Sequence, residues 1–549
     1  MGLVDQYGHP VSVLDQNTRG ITFAACRAEC GSLVEDFDIV FFASSFTNWL
    51  LPWIALTAQL PYQASNSGGN IMSGLIAVGS PNLITYSLTL TILNRCWIRR
   101  RFSRLRKSSE GVAEWAPHVT ERVSAVGEFL QDAQQAPIRV SQEDGWLSSL
   151  IVLPENQSFW TSVNKDLRNT RRGFSAALFA QLLMALISYL LTVASAASTN
   201  SGANTTIALQ IAGGSVWIWM IPVILGWILV GTQGRYGAIN DALHDNSHRT
   251  FRALPIVAED GNPSWLGFSI IGDEGKEGPI YNYGRILTWF ECATQLESGF
   301  SRLVSNLNQN GANRRRVDGD PWNNDGTNLP QTNRFAGTST QVENYCGLRH
   351  SLNAYTPWSD IPAVAWHHII FGSLVALIVQ WGTTGPAILN SYLTPKVGLG
   401  CRTGSYLIYG MAATFVWILL VLSSLLSHEI MLQHERTFRP DTHDRIELKG
   451  QNSRTLLHAL AVCTRFMGKF IAVLNAMWLV TISILGYIGT LETCWCAANV
   501  LSEGSRGWVD IFKVPAPSNY WVEGLVFSLL VCLASMLFFW FAGVDSRSD

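Results

Sequence analysis

The sequence predicts an all-α fold, namely a polytopic transmembrane helix bundle of about eight spans with two sizeable cytoplasmic loops. Only 14% of its 549 residues are charged, whereas an average soluble protein has roughly 25%. Apolar runs of about 20 residues, the length of helix that crosses a bilayer core, alternate with polar segments. The 21 tryptophans agree with this prediction, because indole rings favour the lipid headgroup region.

Eight runs are long and apolar enough to be spans, and none alternates residue by residue as a barrel strand does. They cover residues 39–60, 71–93, 174–197, 208–231, 365–389, 406–426, 466–488 and 522–543. The second run contains Gly79 and Pro81, and the fifth contains Gly382, Gly385 and Pro386. Because glycine and proline weaken or break helices, we expect an interrupted helix in these two spans.

Clusters of Lys and Arg mark the segment between the second and third runs, at residues 95–107 and 165–172. The positive-inside rule places that segment in the cytoplasm. Alternation across the predicted spans then puts both termini in the cytoplasm. The cation-poor loops 61–70, 198–207, 390–405 and 489–521 are expected outside. Both the plasma membrane and an endomembrane fit this pattern.

The predicted organisation follows from these spans. A cytoplasmic N-terminal segment, residues 1–38, precedes spans one and two in 39–93, and a cytoplasmic loop, 94–173, precedes spans three and four in 174–231. The second cytoplasmic loop, 232–362, is expected to be partly disordered, because residues 306–340 are rich in Asn, Gly, Asp and Thr. Spans five to eight and a short cytoplasmic tail occupy 363–549.

Three cysteines and one asparagine fall on the predicted outer side. A bridge from Cys401 to Cys494 or to Cys496 is one hypothesis, since disulfides persist outside the cytosol. The alternative is three free thiols. Asn204 begins an Asn-Thr-Thr glycosylation sequence in a short outer loop, which predicts a glycoprotein.

The interrupted fifth span is the first candidate functional site. Proline removes one backbone hydrogen bond and frees a carbonyl, and transporters bind substrates at such breaks. The alternative interpretation is a proline kink that packs tightly through its glycines. The candidate substrate-pathway residues are Gln380, Gly382, Thr383, Thr384, Gly385 and Pro386.

Histidines form the second candidate site, because all 11 fall on the predicted cytoplasmic side. His244 and His248 lie one helical turn apart, a spacing that can hold a metal ion. His367, His368 and His428 could complete such a site from other spans. The alternative is that they are solvated residues at the membrane interface. The HxxHH boxes of membrane di-iron enzymes do not occur in the sequence.

One stretch of the chain resembles a segment found in multi-pass membrane proteins of filamentous fungi, a family with no agreed activity. The stretch comprises Gly382-Thr-Thr-Gly-Pro-Ala, then Thr394-Pro-Lys-Val-Gly-Leu-Gly-Cys-Arg402, and then residues 404–410. The paired Cys494 and Cys496 are also similar to that family. The resemblance covers mainly spans five to seven. It implies a fungal membrane protein and transfers no catalytic residue.

Three classes of function remain open from the sequence. Transport, a channel or a membrane-accessory role fits the interrupted span and the lack of a P-loop, GxGxxG or nucleophile-elbow motif. A membrane-embedded metal-dependent enzyme acting on a lipid-like or terpenoid-like substrate fits the one-sided histidines. The third class is a sensor or scaffold. The lipid bilayer is the expected partner, and the absence of a recurring basic face argues against nucleic acid.

Overall fold

The computed structural model contains a helical bundle, a helical domain at one end of it and a small sheet at the other. The residues it describes are 2–31, 46–60, 67–112, 116–135, 146–169, 176–198, 212–230, 236–247, 273–309, 339–348, 355–437, 451–511 and 520–545, with gaps at 13, 15–16, 277 and 395 and a few isolated positions elsewhere. Its secondary structure is almost entirely helical, which confirms the predicted all-α class apart from the sheet.

The short elements at the start of the chain lead into the bundle. They are strands β1 (Leu3–Val4) and β2 (Gly20–Thr22), helix α1 (Phe23–Cys30), a π-helical turn (Phe46–Leu50), and helices α2 (Leu51–Thr57) and α3 (Ser67–Gly79). The bundle continues with α4 (Pro81–Glu110), α8 (Ala176–Ser198) and α9 (Met220–Val230), the last of which belongs to an apolar helical segment, Ala212–Val230.

The second half supplies the four longest apolar helices. They are α13 (Ala363–Leu393), α14 (Cys401–Thr437), α15 (Gln451–Tyr487) and α18 (Tyr520–Asp545). Together with Ala212–Val230, these make five described helices that are long and apolar enough to cross a membrane. On α13 the side chains of Ile370, Leu374 and Ile378 are more than half exposed. An exposed apolar stripe with helical spacing is typical of a surface that faces lipid.

The second predicted span is bent by 103° between α3 and α4, and this bent pair of helices is called the hairpin below. Ser80 caps α4 by accepting a hydrogen bond from the Leu83 amide at 3.4 Å, and Pro81 occupies the first helical position. A serine cap followed by proline is a strong start signal for a new helix. The predicted interruption in this span therefore exists, and it separates two helices.

The inner domain lies beside the end of α4, and the described residues contribute six helices to it. They are α5 (Pro117–Asp132), α6 (Trp146–Val152), α7 (Gln157–Asn169), α10 (Tyr236–Ser247), α11 (Asn282–Gln309) and α12 (Ser339–Cys346). Arg122 of α5 is buried and donates to the carbonyls of Ile151 at 2.7 Å and Leu153 at 2.9 Å. Burial lowers the pKa of Arg122 to about 10, so the guanidinium stays charged at neutral pH. The end of the bundle that carries this domain is called the inner end below.

The opposite end of the bundle, called the disulfide end, carries a three-stranded antiparallel sheet. Two short helices, α16 (Cys494–Ala497) and α17 (Val500–Glu503), lead to β3 (Trp508–Asp510). The strand order is β1-β2-β3, with Ile21 opposite Val509. Arg19 and Asp510 form an ion pair at 3.3 Å beside the ladder. The chain's first strands therefore pair with the loop between the last two apolar helices.

Two disulfides close the disulfide end. Cys26 is bonded to Cys494, and Cys401 is bonded to Cys496. The sequence places residues 1–38 and loop 489–521 on opposite sides of the membrane. The Cys26–Cys494 bond and the β2–β3 ladder contradict that combination, because bonded groups lie in one compartment. The sequence carries no local signal for this pairing, because the two bonded cysteines are 468 residues apart.

Candidate functional site

The tip of the hairpin lies near the middle of the apolar bundle. The tip contacts Asn475 of α15. Asn475 is about 18 Å along this helix from its last residue, Tyr487. That distance is somewhat more than half of the thickness of a bilayer core, which is about 30 Å. Helix α4 runs from the tip to the inner end, and α3 meets it at 103°. Ser73 of α3 lies beside Tyr281, whose ring is 5.2 Å from the Lys469 ammonium. Because Lys469 precedes Asn475 on α15, α3 approaches the tip from the inner end, and α4 returns there.

Side chains of neighbouring helices donate hydrogen bonds to the backbone carbonyls that the break leaves without a helical partner. Tyr409 donates its hydroxyl to the Val78 carbonyl at 2.9 Å. The Asn475 amide donates to the carbonyls of Gly79 at 2.8 Å and Tyr409 at 3.1 Å. Ser80 donates to the Ala413 carbonyl at 2.8 Å. These bonds stabilise the helix break, because they provide partners for buried backbone carbonyls that the break leaves without one.

Glycine is required at the end of α3 by close packing. A Cβ built on Gly79 would collide with the backbone carbonyl of Ala472 on α15. The two helices therefore approach each other through backbone atoms, which only a glycine at this position permits. The same contact brings Gly79 within reach of Asn475, one turn further along α15.

Thr414 of α14 joins three helices at the tip. Its hydroxyl oxygen accepts hydrogen bonds from the Asn82 amide at 3.0 Å and from the Trp381 indole at 3.1 Å. The hydroxyl itself donates to the Gly410 carbonyl at 2.9 Å. The threonine therefore fixes α4 and α13 against α14 at the level of the break.

Three buried oxygen atoms at this level have no hydrogen-bond partner among the described residues. They are Oδ1 of Asn82, Oγ1 of Thr85 and Oε1 of Gln380. All three side chains are fully buried. Leaving a buried polar group unpaired costs about 1–3 kcal/mol, so three such groups in one place are a sign of a site that receives a ligand or water.

The register of α13 against α4 places Gln380 beside the tip. The helices run antiparallel, with Gly372 packed against Tyr86 and Leu90 and with the His368 imidazole hydrogen-bonded to Asn94 at 2.9 Å. Two turns further along α13, Gln380 therefore reaches the level of Asn82. Its amide donates to the Thr384 hydroxyl at 2.9 Å.

Unpartnered polar atoms continue from Gln380 towards the disulfide end. Ser391, three turns further on α13, is on nearly the same face as Gln380, and its hydroxyl has no partner among the described residues. The neighbouring Asn390 is buried, and neither atom of its amide is paired in the described part of the chain. The polar side chains of α13 therefore form a stripe from the tip towards the disulfide end.

The predicted interruption of span five is absent. Helix α13 is continuous through residues 382–386, with Pro386 inside it. Thr383 donates to its own helix at the Val379 carbonyl, and Gly382 packs against Val531 of α18. A Cβ on Gly385 would meet no atom within 4 Å. A single proline removes one helical hydrogen bond, and close packing by neighbouring helices compensates for that loss.

The inner end of the hairpin contacts a segment that we call the inner plug, residues 273–276 and 278–285. Its Asp273 forms an ion pair with Lys469 at 2.6 Å and accepts a hydrogen bond from Tyr283. Ser87 of α4 donates to the Ile280 carbonyl at 3.1 Å. Sequence reasoning missed the part of this segment before Tyr283, because a short polar stretch in a long loop has no periodicity that predicts burial.

The predicted metal site is only partly within the described residues. His244 belongs to α10, but its side chain and the whole of His248 lie outside them. His368 bonds Asn94, and His428 donates to the Thr356 carbonyl at 2.9 Å, so these two serve separate contacts. The histidine metal site stays a prediction.

The remaining predicted outer residues have different outcomes. Of the two bridges considered for Cys401, the structure forms the one to Cys496, and Cys494 instead takes Cys26. Asn204 lies outside the described residues, and its glycosylation stays a prediction. A search of the described residues for three potential metal ligands with neighbouring ligand atoms gives Cys26, Cys30 and Cys494, whose sulfurs lie within 4.8 Å of one another.

A surface cleft of about 650 Å³ lies between α4, α5 and α7 in the inner domain. It is lined by Arg106, Glu110, Thr120, Glu121, Ser124, Ala125, Glu128, Thr161, Asn164, Lys165 and Arg168. Its acidic and basic side chains balance, and Arg168 pairs with Glu128 at 2.7 Å. Arg106 is about 36 Å along α4 from Asn82, so the cleft is separate from the tip.

Comparison with known proteins adds no relative to these observations. A scan of protein-family models finds no matching family, and searches of curated proteins and of solved structures find no match. The resemblance to the fungal family therefore stays a prediction.

Proposed function

We propose that this chain is a membrane transport protein or channel for a small, uncharged polar solute that passes the hairpin tip. The observation that carries the proposal is the set of unpartnered oxygens of Asn82, Thr85 and Gln380 beside a helix break inside an apolar bundle. Breaks of this kind at mid-membrane depth are where transporters place their binding sites.

The proposed arrangement in the membrane has seven crossings and one re-entrant hairpin. Taking the hairpin out of the eight predicted spans leaves seven, an odd number, so the termini lie on opposite sides. The arginine-rich segment 95–107 is at the inner end of α4, which makes the inner end cytoplasmic by the positive-inside rule. The disulfide end is then outside, where disulfides persist, and the N-terminus is outside with it.

The proposal of an uncharged solute rests on the groups that surround the tip. Amide, hydroxyl and indole groups of Asn82, Gln380, Thr414 and Trp381 offer hydrogen bonds without formal charge. The buried charged pair nearest along α15 is Lys469 with Asp273, about 9 Å from Asn475. Since these two neutralise each other, a charged solute at the tip would lack a counter-charge, and burying an unpaired charge in a membrane is costly.

The inner plug closes the proposed route on the cytoplasmic side. It contacts α15 through the Asp273–Lys469 ion pair and the hairpin through the Ser87–Ile280 hydrogen bond. The polar stripe on α13 forms the outer part of the route, from Gln380 to Ser391. Movement of the plug away from Lys469 is the step that would connect the tip to the cytoplasm.

Osmotic shrinkage of proteoliposomes tests the proposal. The full chain is reconstituted and mixed rapidly with hyperosmotic glycerol, urea or sucrose, and light scattering reports the entry of water and solute. We expect glycerol or urea to enter faster than in protein-free liposomes. Changing Gln380→Leu is expected to lower that rate on the order of tenfold, the effect of one lost hydrogen bond to a solute.

Thr383→Val is the matched control, because the Thr383 hydroxyl bonds only to its own helix. The control is expected to keep the wild-type rate. Thermal unfolding of each variant in detergent checks that the fold is retained. Permeabilities equal to those of protein-free liposomes for every solute in the panel would overturn the proposal, as would equal rates for the Gln380 variant and the wild type.

A further inference from the structure

A cluster of three cysteine sulfurs lies at the disulfide end, away from the hairpin. The Sγ atoms of Cys26, Cys30 and Cys494 are all within 4.8 Å of one another. Cys26 and Cys494 are bonded, whereas Cys30 is a free thiol. Cys26 is buried and Cys30 is exposed. A free thiol therefore lies next to a disulfide, and solvent can reach it.

The local fold explains why these sulfurs meet. Thr22 caps α1 by accepting a hydrogen bond from the Ala25 amide at 3.3 Å. Cys26 and Cys30 are four residues apart on this helix, so their side chains share one face. Helix α16 presents Cys494 to that face, and Phe23 packs edge-on against Trp495 with ring centroids 5.9 Å apart. Both cysteines of α1 therefore face one sulfur of α16.

We propose that Cys26, Cys30 and Cys494 form a thiol–disulfide exchange centre, with Cys30 as the attacking thiol. Cys30 loses its proton to solvent, and its thiolate attacks Sγ of Cys26. A Cys26–Cys30 bond forms as the Cys26–Cys494 bond breaks. Cys494 leaves as a thiolate and takes up a proton. One disulfide and one thiol are present before and after the step, so no external oxidant or reductant is needed.

The exchange changes how the N-terminal strands are held. In the structure, Cys26–Cys494 ties them covalently to α16 across 468 residues of sequence. After exchange, their attachment depends on noncovalent contacts, among them the β2–β3 ladder, the Arg19–Asp510 pair and the Phe23–Trp495 packing. The Cys401–Cys496 bond keeps α16 attached to α14 in both forms. The substrate of the centre is thus the chain's own disulfide, and after exchange the exposed Cys30 sulfur belongs to a disulfide that external thiols would attack.

Disulfide mapping of the full chain tests the proposal. Protein purified in detergent without reductant is incubated at pH 8 or kept at pH 5, where thiolate is scarce. Free thiols are then alkylated under denaturing conditions, and peptides are identified by mass spectrometry. At pH 8 we expect alkylation to be shared between Cys30 and Cys494, with a Cys26–Cys30 peptide present. At pH 5 the label is expected mainly on Cys30.

Two variants serve as comparison. Cys30→Ser removes the attacking sulfur from an exposed position and is expected to leave a single Cys26–Cys494 peptide and no alkylated Cys494. Cys463→Ser removes an exposed free thiol on α15 and is expected to behave as the wild type. If Cys30 were the only one of the three cysteines of the centre to be alkylated at pH 8 in the wild-type chain, the proposal would be overturned, and so it would by alkylated Cys494 in the Cys30→Ser variant.

Discussion

Single side chains decide whether a helix break can lie inside the apolar bundle. Asn475 alone satisfies two carbonyls, those of Gly79 and Tyr409, and it comes from a different helix from either of them. Tyr409 satisfies a third, that of Val78. A buried carbonyl without a partner costs free energy, so these bonds stabilise the break. The residues at the tip therefore divide into those that hold the break and those, such as Gln380, that leave an oxygen unpaired.

Replacing Asn475 with leucine is expected to destabilise the folded protein. The change leaves two buried carbonyls with one fewer partner, at about 1–3 kcal/mol for each group left unpaired. Thermal unfolding in detergent, followed by intrinsic tryptophan fluorescence, measures the loss as a lower midpoint. Ser483→Ala on the same helix is the control, because Ser483 bonds only to its own helix at the Leu479 carbonyl. Equal midpoints for the two variants would contradict the assigned role.

At the scale of elements, two proline-containing spans behave differently. Pro81 follows a serine that caps the next helix, and α4 starts there. Pro386 has no cap before it, and α13 continues past it. The hairpin results from the first pattern and from the close approach of Gly79 to Ala472. The sequence identified both prolines, but packing against α15 and α18 decided which one ends a helix.

Matched glycine substitutions test this distinction. Gly79→Ala is expected to lower stability by about 1–3 kcal/mol, the usual cost of overpacking, because the added methyl group meets the Ala472 backbone. That loss exceeds the gain of about 1 kcal/mol in helix propensity. Gly385→Ala meets no atom within 4 Å and is expected to be neutral or slightly stabilising. Unfolding midpoints in detergent measure both changes, and a reversed order would contradict the contact between α3 and α15.

At the scale of the whole molecule, the first and last parts of the chain are joined. The Cys26–Cys494 bond and the β1-β2-β3 sheet connect the N-terminal strands to the loop between α15 and α18. With the seven crossings proposed above, the N-terminal strands lie at the disulfide end and α18 ends at the inner end. This arrangement keeps the arginine-rich segment 95–107 at the inner end, as the positive-inside rule requires.

Epitope tags at the two termini test the arrangement. An N-terminal tag is expected to bind antibody on intact cells or on sealed, right-side-out vesicles. A C-terminal tag is expected to bind only after permeabilisation. A known cytoplasmic marker, which must stay unlabelled in intact samples, is the control. Detection of both tags only after permeabilisation would return the topology to an even number of crossings and contradict the proposal.

The apolar runs and the cysteines of the sequence were enough to predict four long helices and to include one of the disulfides among the possible pairs. An apolar run crosses a bilayer as a helix of about 20 residues. The runs that form α13, α14, α15 and α18 were therefore recognisable from local composition. Cys401 and Cys496 were among the pairs that the sequence allowed. Residues such as Asp273 and Cys26 carry no local signal of their role, since each acts on a partner far away in the chain.

Tertiary structure alone decided the bend of the second span, the continuity of the fifth and the pairing of the N-terminus with loop 489–521. The physical reason is that each depends on contacts between residues distant in sequence. Gly79 ends its helix against Ala472, and Asp273 pairs with Lys469. Hydropathy measures how each segment interacts with lipid or water. It contains no information about which buried hydrogen bonds and disulfides neighbouring segments form with one another.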